Sequence, residues 1–338
     1  ASAVITAGFI FYGIGQIFSG FLGDRIAPNR MIFFGLCATA ILNLLIPFCT
    51  RIEQMSVVWS LNGLAQSMLW PPLVRAMSEF LPSEQFSKGC LSVSVAAAIG
   101  TISVYLSAPV MILASGWRLV FFVCGCATLA AAIVWIVGFS RLRKKAGLER
   151  QGSAILVEPP VKTVNSVSRS RFVAASGLVF IVLSIVLQGA LRDGITTWIP
   201  SYLSETFRLG SSVSILMTVA LPLASIAAFQ ITTLLNERIF RNELASSALL
   251  FAVGFGALLF LSLFSSSSAF LSIVLASLVT GCMHGVNLLL VVILPKRLGR
   301  NGHISGISGL LNFFTYVGSA ISAFGVANGS VEDFLDGL

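Results

Sequence analysis

Charged residues are scarce in this sequence. Only 10% of its 338 residues are Asp, Glu, Lys or Arg, whereas 56% are hydrophobic, and the mean hydropathy is +0.94. A soluble domain carries about a quarter of its residues as charges, so this chain has too few to cover a surface exposed to water. The composition therefore excludes a soluble globular protein and predicts a membrane protein, which the apolar runs described below predict to be all-α.

Patterns typical of metal sites and active sites are also missing. The sequence has two histidines, and its six cysteines are scattered, mostly within apolar runs. Cys124 and Cys126 are two positions apart, which on a helix places them on different faces. We see no nucleophile–base set and no glycine-rich phosphate loop beside a strand. We therefore predict no enzyme activity, no metal and no cofactor, and interpret the cysteines as small hydrophobic residues inside a bundle.

Long apolar runs dominate what remains. About 20 apolar residues cross a bilayer as a helix, and ten runs approach that length. The runs cover residues 3–22, 31–49, 55–75, 89–113, 118–139, 172–199, 212–235, 246–264, 269–294 and 303–326.

One link between the runs, 140–171, is long and basic, with eight Lys and Arg. It predicts an N-terminal helix bundle at 1–139, a cytoplasmic linker at 140–171 and a C-terminal helix bundle at 172–338. If alternate links starting with 23–30 face the cytoplasm, that side holds 17 of the 21 Lys and Arg. Membrane topology thus explains the net charge of +8 without a nucleic-acid partner.

The two predicted bundles repeat each other. Asp24-Arg25 matches Glu237-Arg238, and Leu81-Pro82 matches Leu294-Pro295, both at an offset of 213 positions. Repeats of the same orientation predict two bundles related by an axis along the membrane normal, with a site between them near the midplane. With five runs in each half, we expect one helix before residue 1 and another after Leu338.

Two charges lie inside a long apolar run, Arg192 and Asp193. A buried arginine costs about 2.5–3.5 kcal/mol on insertion scales, so it normally has a partner or a function. Asp193 is either a proton-coupling carboxylate or the counter-ion of Arg192. Adjacent residues on a regular helix do not face each other, so we expect no direct pairing unless Gly189 and Gly194 allow a local break.

Other polar residues share helix faces within the apolar runs. A single such face more often joins helices than binds a ligand, but five faces from both halves favour a shared cavity. The predicted substrate-binding residues are Tyr12, Gln16, Gln66, Trp70, Gln188, Arg192, Trp198, His284, Asn287, Asn312 and Tyr316. His284 is either a proton carrier, because histidine titrates near neutral pH, or a histidine held by a hydrogen bond.

The sequence Gly20-Phe-Leu-Gly-Asp24-Arg25, followed by Arg30, resembles a loop signature of the major facilitator superfamily. The resemblance implies the major facilitator fold, with two pseudo-symmetric helix bundles and about ten of twelve transmembrane helices present. Gly20 would allow two helices to approach closely, and the acid–base pair would tie their cytoplasmic ends together. The predicted conformational loops comprise Gly20, Asp24, Arg25, Arg30, Glu237, Arg238 and Arg241.

Three further stretches resemble the organophosphate:phosphate antiporter family within that superfamily. They are Trp70-Pro-Pro72 with Arg75, Leu191-Arg-Asp-Gly194 leading to Trp198-Ile-Pro-Ser-Tyr202, and Leu294-Pro-Lys-Arg297 continuing to Tyr316-Val-Gly318. The resemblance implies that Arg192 is one of two arginines that grip a substrate phosphate and that Tyr316 is a cavity tyrosine. The second arginine would lie on the helix before residue 1.

The sequence departs from that family at several positions. Gln16 stands where a cavity lysine is expected, Thr280 stands where a tyrosine is expected, and residues 94–98 contain no histidine. Asp193 follows the arginine where an uncharged residue is expected. We therefore predict a less positive cavity, for which a phosphorylated metabolite is one of several candidate anions.

The sequence thus predicts a secondary transporter of a small organic anion that works by alternating access. Inorganic phosphate or protons would be the coupling ion, and we expect a monomer in the bacterial cytoplasmic membrane. The alternative is a non-transporting membrane receptor that senses a phosphorylated sugar. Ligand binding without flux would distinguish the receptor from the transporter.

Overall fold

Helices make up the fold in the computed structural model, which describes residues 2–145, 169–264, 266–298 and 303–328. No strand occurs within these ranges. The helices of the N-terminal half are α1 (Ser2–Arg25), α2 (Pro28–Leu45), α3 (Ile52–Ser67), α4 (Trp70–Phe80), α5 (Ser83–Ser115) and α6 (Trp117–Lys145). Those of the C-terminal half are α7 (Arg169–Thr206), α8 (Ser211–Met217), α9 (Ala220–Leu234), α10 (Glu243–Phe264), α11 (Ala269–Asn287), α12 (Leu294–Leu298) and α13 (Ile304–Asn328).

Nine helical segments in the described ranges are long and apolar enough to cross a membrane. A helix satisfies its backbone hydrogen bonds internally, which is what a segment in lipid requires. Large hydrophobic side chains face outward along these segments, among them Phe34, Phe180, Phe255 and Phe270. The all-α membrane fold predicted from composition is confirmed.

The third predicted apolar run, 55–75, is interrupted in the structure. Helix α3 ends at Ser67, and α4 begins at Trp70 with prolines in its first turn. Proline has no backbone N–H and disfavours a helical conformation in the residue before it, which explains the break before Pro71. The run therefore forms two shorter helices, which is why nine long segments are found where ten runs were expected.

The most extensive contacts between the two halves are made by two helix pairs, and α4 also packs against α13. Helix α1 packs along α13, and α5 packs along α9. Within the C-terminal half, α7 packs against both α11 and α13. In the segment Ala269–Leu298, 83% of the apolar stretch that would cross the membrane is buried inside the protein, compared with 11% in Trp117–Arg141. The former is therefore a central helix, and the latter lies at the lipid-facing edge.

Glycines allow the closest helix contacts. A Cβ added to Gly189 or Gly318 would collide with the backbone across the α7–α13 contact, and one added to Gly309 would collide with the backbone of α1. Small residues at such positions let helices approach closely in a membrane. Helix α13 is therefore in close contact with α7 on one side and with α1 on the other.

The predicted linker, 140–171, continues the flanking helices at both ends, because α6 runs to Lys145 and α7 starts at Arg169. The remainder of the linker, 146–168, lies outside the described residues. The proposed division into two bundles and a linker stays a prediction.

Candidate functional site

A cavity of about 330 Å³ lies where α1, α4 and α5 meet helices α7, α9, α11 and α13. It is lined by Tyr12, Trp70, Ser94, Ala97, Ala98, Thr101, Arg192, Asp193, Thr196, Leu221, Pro222, Ser225, Phe229, His284, Asn287, Asn312 and Tyr316. Both halves of the chain contribute walls. This is the position at which paired bundles hold their binding sites.

The cavity brings together seven of the eleven predicted substrate-binding residues. These are Tyr12, Trp70, Arg192, His284, Asn287, Asn312 and Tyr316, and the predicted coupling residue Asp193 lines it too. Gln66 lines a neighbouring cavity of about 260 Å³, to which Tyr12 and Tyr316 also contribute. The two cavities therefore share a wall made of these tyrosines, whose ring centroids are 4.2 Å apart.

Three predicted residues lie outside the lining of these two cavities. Gln16 and Gln188 are fully buried, and neither side-chain amide has a hydrogen-bond partner among the described residues. Trp198 is half-buried, and its indole nitrogen likewise has no partner within the described ranges. Their role in substrate binding stays a prediction, since the structure brings them to neither cavity.

Arg192 and Asp193 form a bidentate ion pair. Nε of Arg192 donates to Oδ1 of Asp193 at 2.6 Å, and a terminal nitrogen of Arg192 donates to Oδ2 at 2.9 Å. The expectation that adjacent residues would not pair is wrong. Helix α7 is continuous through this point, so no break is needed. The long arginine side chain instead folds back until its planar fork meets the neighbouring carboxylate.

Ser319 of α13 holds the same carboxylate from the other side. Its hydroxyl donates to Oδ2 of Asp193 at 2.5 Å, and Ser319 is fully buried. Sequence reasoning missed this residue, although it lies three positions after Tyr316 and so continues the polar face of α13. The contact is possible because Gly189 and Gly318 keep α7 and α13 close together.

The remaining polar walls offer hydrogen-bonding groups to a ligand. The indole nitrogen of Trp70 and the amide oxygen of Asn287 have no hydrogen-bond partner within the described part of the chain. The ring of His284 packs edge-on against Phe229, with centroids 5.6 Å apart. A buried polar atom without a partner costs free energy, so a bound ligand or water would be stabilised here.

The charges of the cavity lining cancel. Arg192 and Asp193 are its ionised pair, and its other titratable side chains are those of Tyr12, His284 and Tyr316. The walls contributed by α5 and α9 include small or apolar residues, among them Ala97, Ala98 and Leu221. The segment 94–98 thus supplies no positive charge. The cavity is therefore close to electroneutral, with both polar and apolar walls.

The Asp24 loop (residues 23–30) joins the two halves at one end of the bundle. The carboxylate of Asp24 accepts the backbone N–H groups of Ser305 and Gly306, each at 3.0 Å, at the start of α13. Arg25 is exposed and forms no ion pair among the described residues. The predicted tie exists, but its predicted acid–base form is wrong: the free N–H groups of a helix start attract the carboxylate.

Two neighbours support this contact. Gly20 lies so close to α13 that an added Cβ would be 3.0 Å from the carbonyl oxygen of Ser305. Arg75 of α4 donates to the carbonyl oxygen of Gly23 at 2.5 Å and pairs with Glu79 at 2.6 Å. The guanidinium thus satisfies a carbonyl at the end of α1, where a positive charge is favourable.

The Glu237 loop (residues 235–242) contacts the other half more lightly. Glu237 accepts a hydrogen bond from the hydroxyl of Ser87 in α5 at 3.1 Å, on an exposed surface. Arg238 and Arg241 are exposed, as is Arg30 of the Asp24 loop. Arg241 adopts a left-handed conformation, with φ of 50°, and ends the π-helical turn Leu235–Phe240.

Long apolar helices around a cavity between two halves define an integral, multi-pass membrane protein. Residues 1–323 match the sequence model of the Major Facilitator Superfamily, and the chain belongs to that superfamily. The fold inferred from the loop signature is thereby confirmed.

Several characterised proteins are similar to this chain. It is 24% identical to the glycerol-3-phosphate transporter of Bacillus subtilis (strain 168) over 353 aligned positions, which cover 98% of this chain and 78% of that protein. It is 28% identical to vesicular glutamate transporter 1 of Bos taurus over 134 residues, or 38% of this chain and 24% of that protein. It is 26% identical to the membrane sensor protein UhpC of Escherichia coli (strain K12) over 125 residues, or 37% and 28%. The chain thus spans only about a quarter of the vesicular glutamate transporters that it matches.

Proposed function

We propose that this protein is a secondary transporter of a small organic anion in the bacterial cytoplasmic membrane, and that Arg192 is the anion anchor. The supporting observation is the position of a permanently charged guanidinium in a cavity between two membrane-spanning halves. Similarity over 98% of this chain to a glycerol-3-phosphate transporter supports the same substrate class.

The burial of Arg192 supports a binding role. The residue is 8% exposed, in the apolar run 172–199, where the other charged residue is its neighbour Asp193. A charge at such depth costs about 2.5–3.5 kcal/mol on insertion scales, and intramembrane charges of this kind commonly mark substrate pathways. The planar fork of arginine meets carboxylate or phosphate oxygens with two parallel hydrogen bonds, which lysine cannot reproduce.

The loop contacts support alternating access. The two halves are joined at one end of the bundle by Asp24 with α13 and by Glu237 with α5. The cavity cannot open toward that end unless these contacts separate. Transport then consists of breaking and re-forming them while the halves rock around the cavity, with inorganic phosphate or protons as the coupling ion.

Uptake by liposomes that contain the purified protein tests the anchor role. Radiolabelled glycerol 3-phosphate and glutamate are suitable probes, because proteins similar to this chain are named for transporting them. We expect Arg192→Lys to lower uptake of the transported probe roughly tenfold to a hundredfold, the effect of losing a charge-assisted hydrogen bond of about 1.5–3 kcal/mol.

Arg141→Lys is the matched control, because Arg141 is exposed at the end of α6. It should leave uptake unchanged. Transport by Arg192→Lys at the parent rate would disprove the anchor role.

A receptor is the second candidate, favoured by the similarity to a membrane sensor over part of the chain. A receptor would bind its ligand with the same cavity but would not move it across the membrane. Binding of glucose 6-phosphate or another sugar phosphate by the purified protein, with no accumulation in liposomes, would favour the receptor over the transporter.

A further inference from the structure

We propose that Asp193 is an internal anion that fills the fork of Arg192 in the empty carrier, and that a singly charged external anion binds by displacing it with uptake of one proton. The proposal rests on the anion-anchor role proposed for Arg192. It assigns a coupling mechanism and a substrate charge to that site.

One of the two edges of Arg192 that suit an anion is already occupied. Nε and one terminal nitrogen bind the two oxygens of Asp193 at 2.6 and 2.9 Å. Two parallel hydrogen bonds of this kind are also how arginine holds a carboxylate or phosphate ligand. An external anion that takes the same edge must therefore move Asp193 away.

Asp193 is held in the fork from outside its own helix. Ser319 of α13 donates to the carboxylate oxygen Oδ2 and is itself fully buried. Close packing of Gly189 against the backbone of Thr315 fixes α7 against α13. The internal anion is thus positioned by the tertiary structure, and weakening the contact with Ser319 should make Asp193 easier to displace.

A displaced Asp193 would have no other cation in the cavity lining. The titratable groups that face the Arg192–Asp193 pair are Tyr12 of α1, His284 of α11 and Tyr316 of α13. An ionised carboxylate that loses its partner in a buried site is costly, and such a group takes up a proton instead.

The charges then balance. The Asp193 carboxylate becomes a carboxylic acid by gaining one proton from the solvent, and Arg192 transfers its two hydrogen bonds to the incoming anion. Protonation removes one negative charge from the site, and the incoming anion adds one. A singly charged anion, such as a carboxylate or a monoprotonated phosphate ester, restores neutrality, whereas a dianion leaves one negative charge in excess. Anion and proton would therefore travel together.

Isothermal titration calorimetry of the purified full chain tests this mechanism, with inorganic phosphate, glycerol 3-phosphate and glutamate as probes. Titration in two buffers of different ionisation enthalpy gives the number of protons taken up per anion. We expect the parent protein to bind more tightly as the pH falls and to take up about one proton, in addition to any proton that the probe itself takes up to become singly charged, as the charge balance requires.

Asp193→Asn should bind the same probe roughly tenfold more tightly in mildly alkaline buffer, take up one proton fewer than the parent and depend less on pH, because its neutral side chain cannot be protonated and competes weakly for the fork. Ser319→Ala should shift affinity in the same direction by a smaller factor. Ser322→Ala is the control, since among the described residues its hydroxyl bonds only to the backbone oxygen of Ser319; it should behave as the parent does.

The outcomes separate this proposal from the anchor role. If Asp193→Asn binds no better than the parent while Arg192→Gln abolishes binding, the anchor stands and the internal anion is wrong. Proton uptake that is unchanged in Asp193→Asn and falls by one proton in His284→Gln also overturns it. Unchanged binding in Arg192→Gln would overturn the anchor itself. Absence of binding of every probe in both the parent and Asp193→Asn counts against both, because the freed fork should bind at least inorganic phosphate.

Discussion

The Asp24 loop and the Glu237 loop are repeats in sequence, yet they contact the opposite half of the protein differently. Asp24 accepts two backbone N–H groups from the start of α13, with the close approach of Gly20 beside it. Glu237 accepts one hydrogen bond, from the hydroxyl of Ser87 on an exposed surface. The first contact uses free N–H groups at a helix start, and the second depends on one side-chain rotamer at the surface.

The two halves also carry opposite charges at two pairs of matching positions. Glu243 pairs with Arg297 at 2.7 Å within the C-terminal half. The positions that stand 213 residues earlier are Arg30 and Glu84, which have the opposite charges and are both exposed. The repeat therefore preserves the positions of charges without preserving their partners. The α1–α13 side is the more tightly joined of the two interfaces, and three substitutions test that ranking.

Gly309→Ala should have the largest effect. Its Cβ would collide with the backbone oxygen of Gln16 and lie 2.9 Å from Cα of Gly20, so α1 and α13 would have to separate. We expect the free energy of unfolding to fall by about 2–3 kcal/mol, which is typical of overpacking. The measurement is the thermal unfolding midpoint in detergent, which should be lower than that of the parent.

Gly100→Ala is the matched control on α5, where an added Cβ meets nothing within 4 Å. It should be neutral or slightly stabilising, because alanine favours helix more than glycine does. Equal effects of the two substitutions would contradict the ranking of the interfaces.

Asp24→Asn should have the next largest effect. It removes the charge that the start of α13 stabilises. We expect this to shift the equilibrium by about 1–2 kcal/mol toward the conformation in which the Asp24 loop and α13 are separated. The rate at which a reagent labels Ser94→Cys in the cavity, in a background without the six native cysteines, measures this opening.

Arg25→Gln provides the control for Asp24→Asn, because Arg25 is adjacent but exposed. Its labelling rate should equal that of the parent. If Arg25→Gln opens the cavity as much as Asp24→Asn does, the acid–base interpretation of the loop would be restored.

Glu237→Gln should have the smallest effect, below about 1 kcal/mol in the same labelling assay, because an exposed contact of this kind contributes little. Its partner substitution, Ser87→Ala, should give the same small change. A shift larger than that of Asp24→Asn would reverse the order of the two loops.

Sequence reasoning predicted the fold and most of the candidate cavity for physical reasons that can be traced to particular residues. Scarcity of charge and runs of apolar residues require helices in lipid, whatever the tertiary contacts are. His284 with Asn287, and Asn312 with Tyr316, are spaced so that they share helix faces, and the structure brings all four to one cavity.

Features that depend on side-chain reach or on distant partners could not be predicted in this way. Spacing rules describe where Cβ atoms point, and they missed the arginine fork that folds back onto Asp193. Ser319 gains its importance from a carboxylate 126 positions earlier in the chain. The partner of Asp24 is a pair of backbone N–H groups, which carry no sequence signal of their own.

The Arg192–Asp193 pair also bears on how α7 enters the membrane during synthesis. Both partners lie on the same helix and are adjacent in sequence, so their contact requires no other segment of the protein. The helix can therefore neutralise its buried arginine before α13 arrives to supply Ser319. The feature that balances charge in the finished cavity thus also lowers the barrier to inserting a charged segment into lipid.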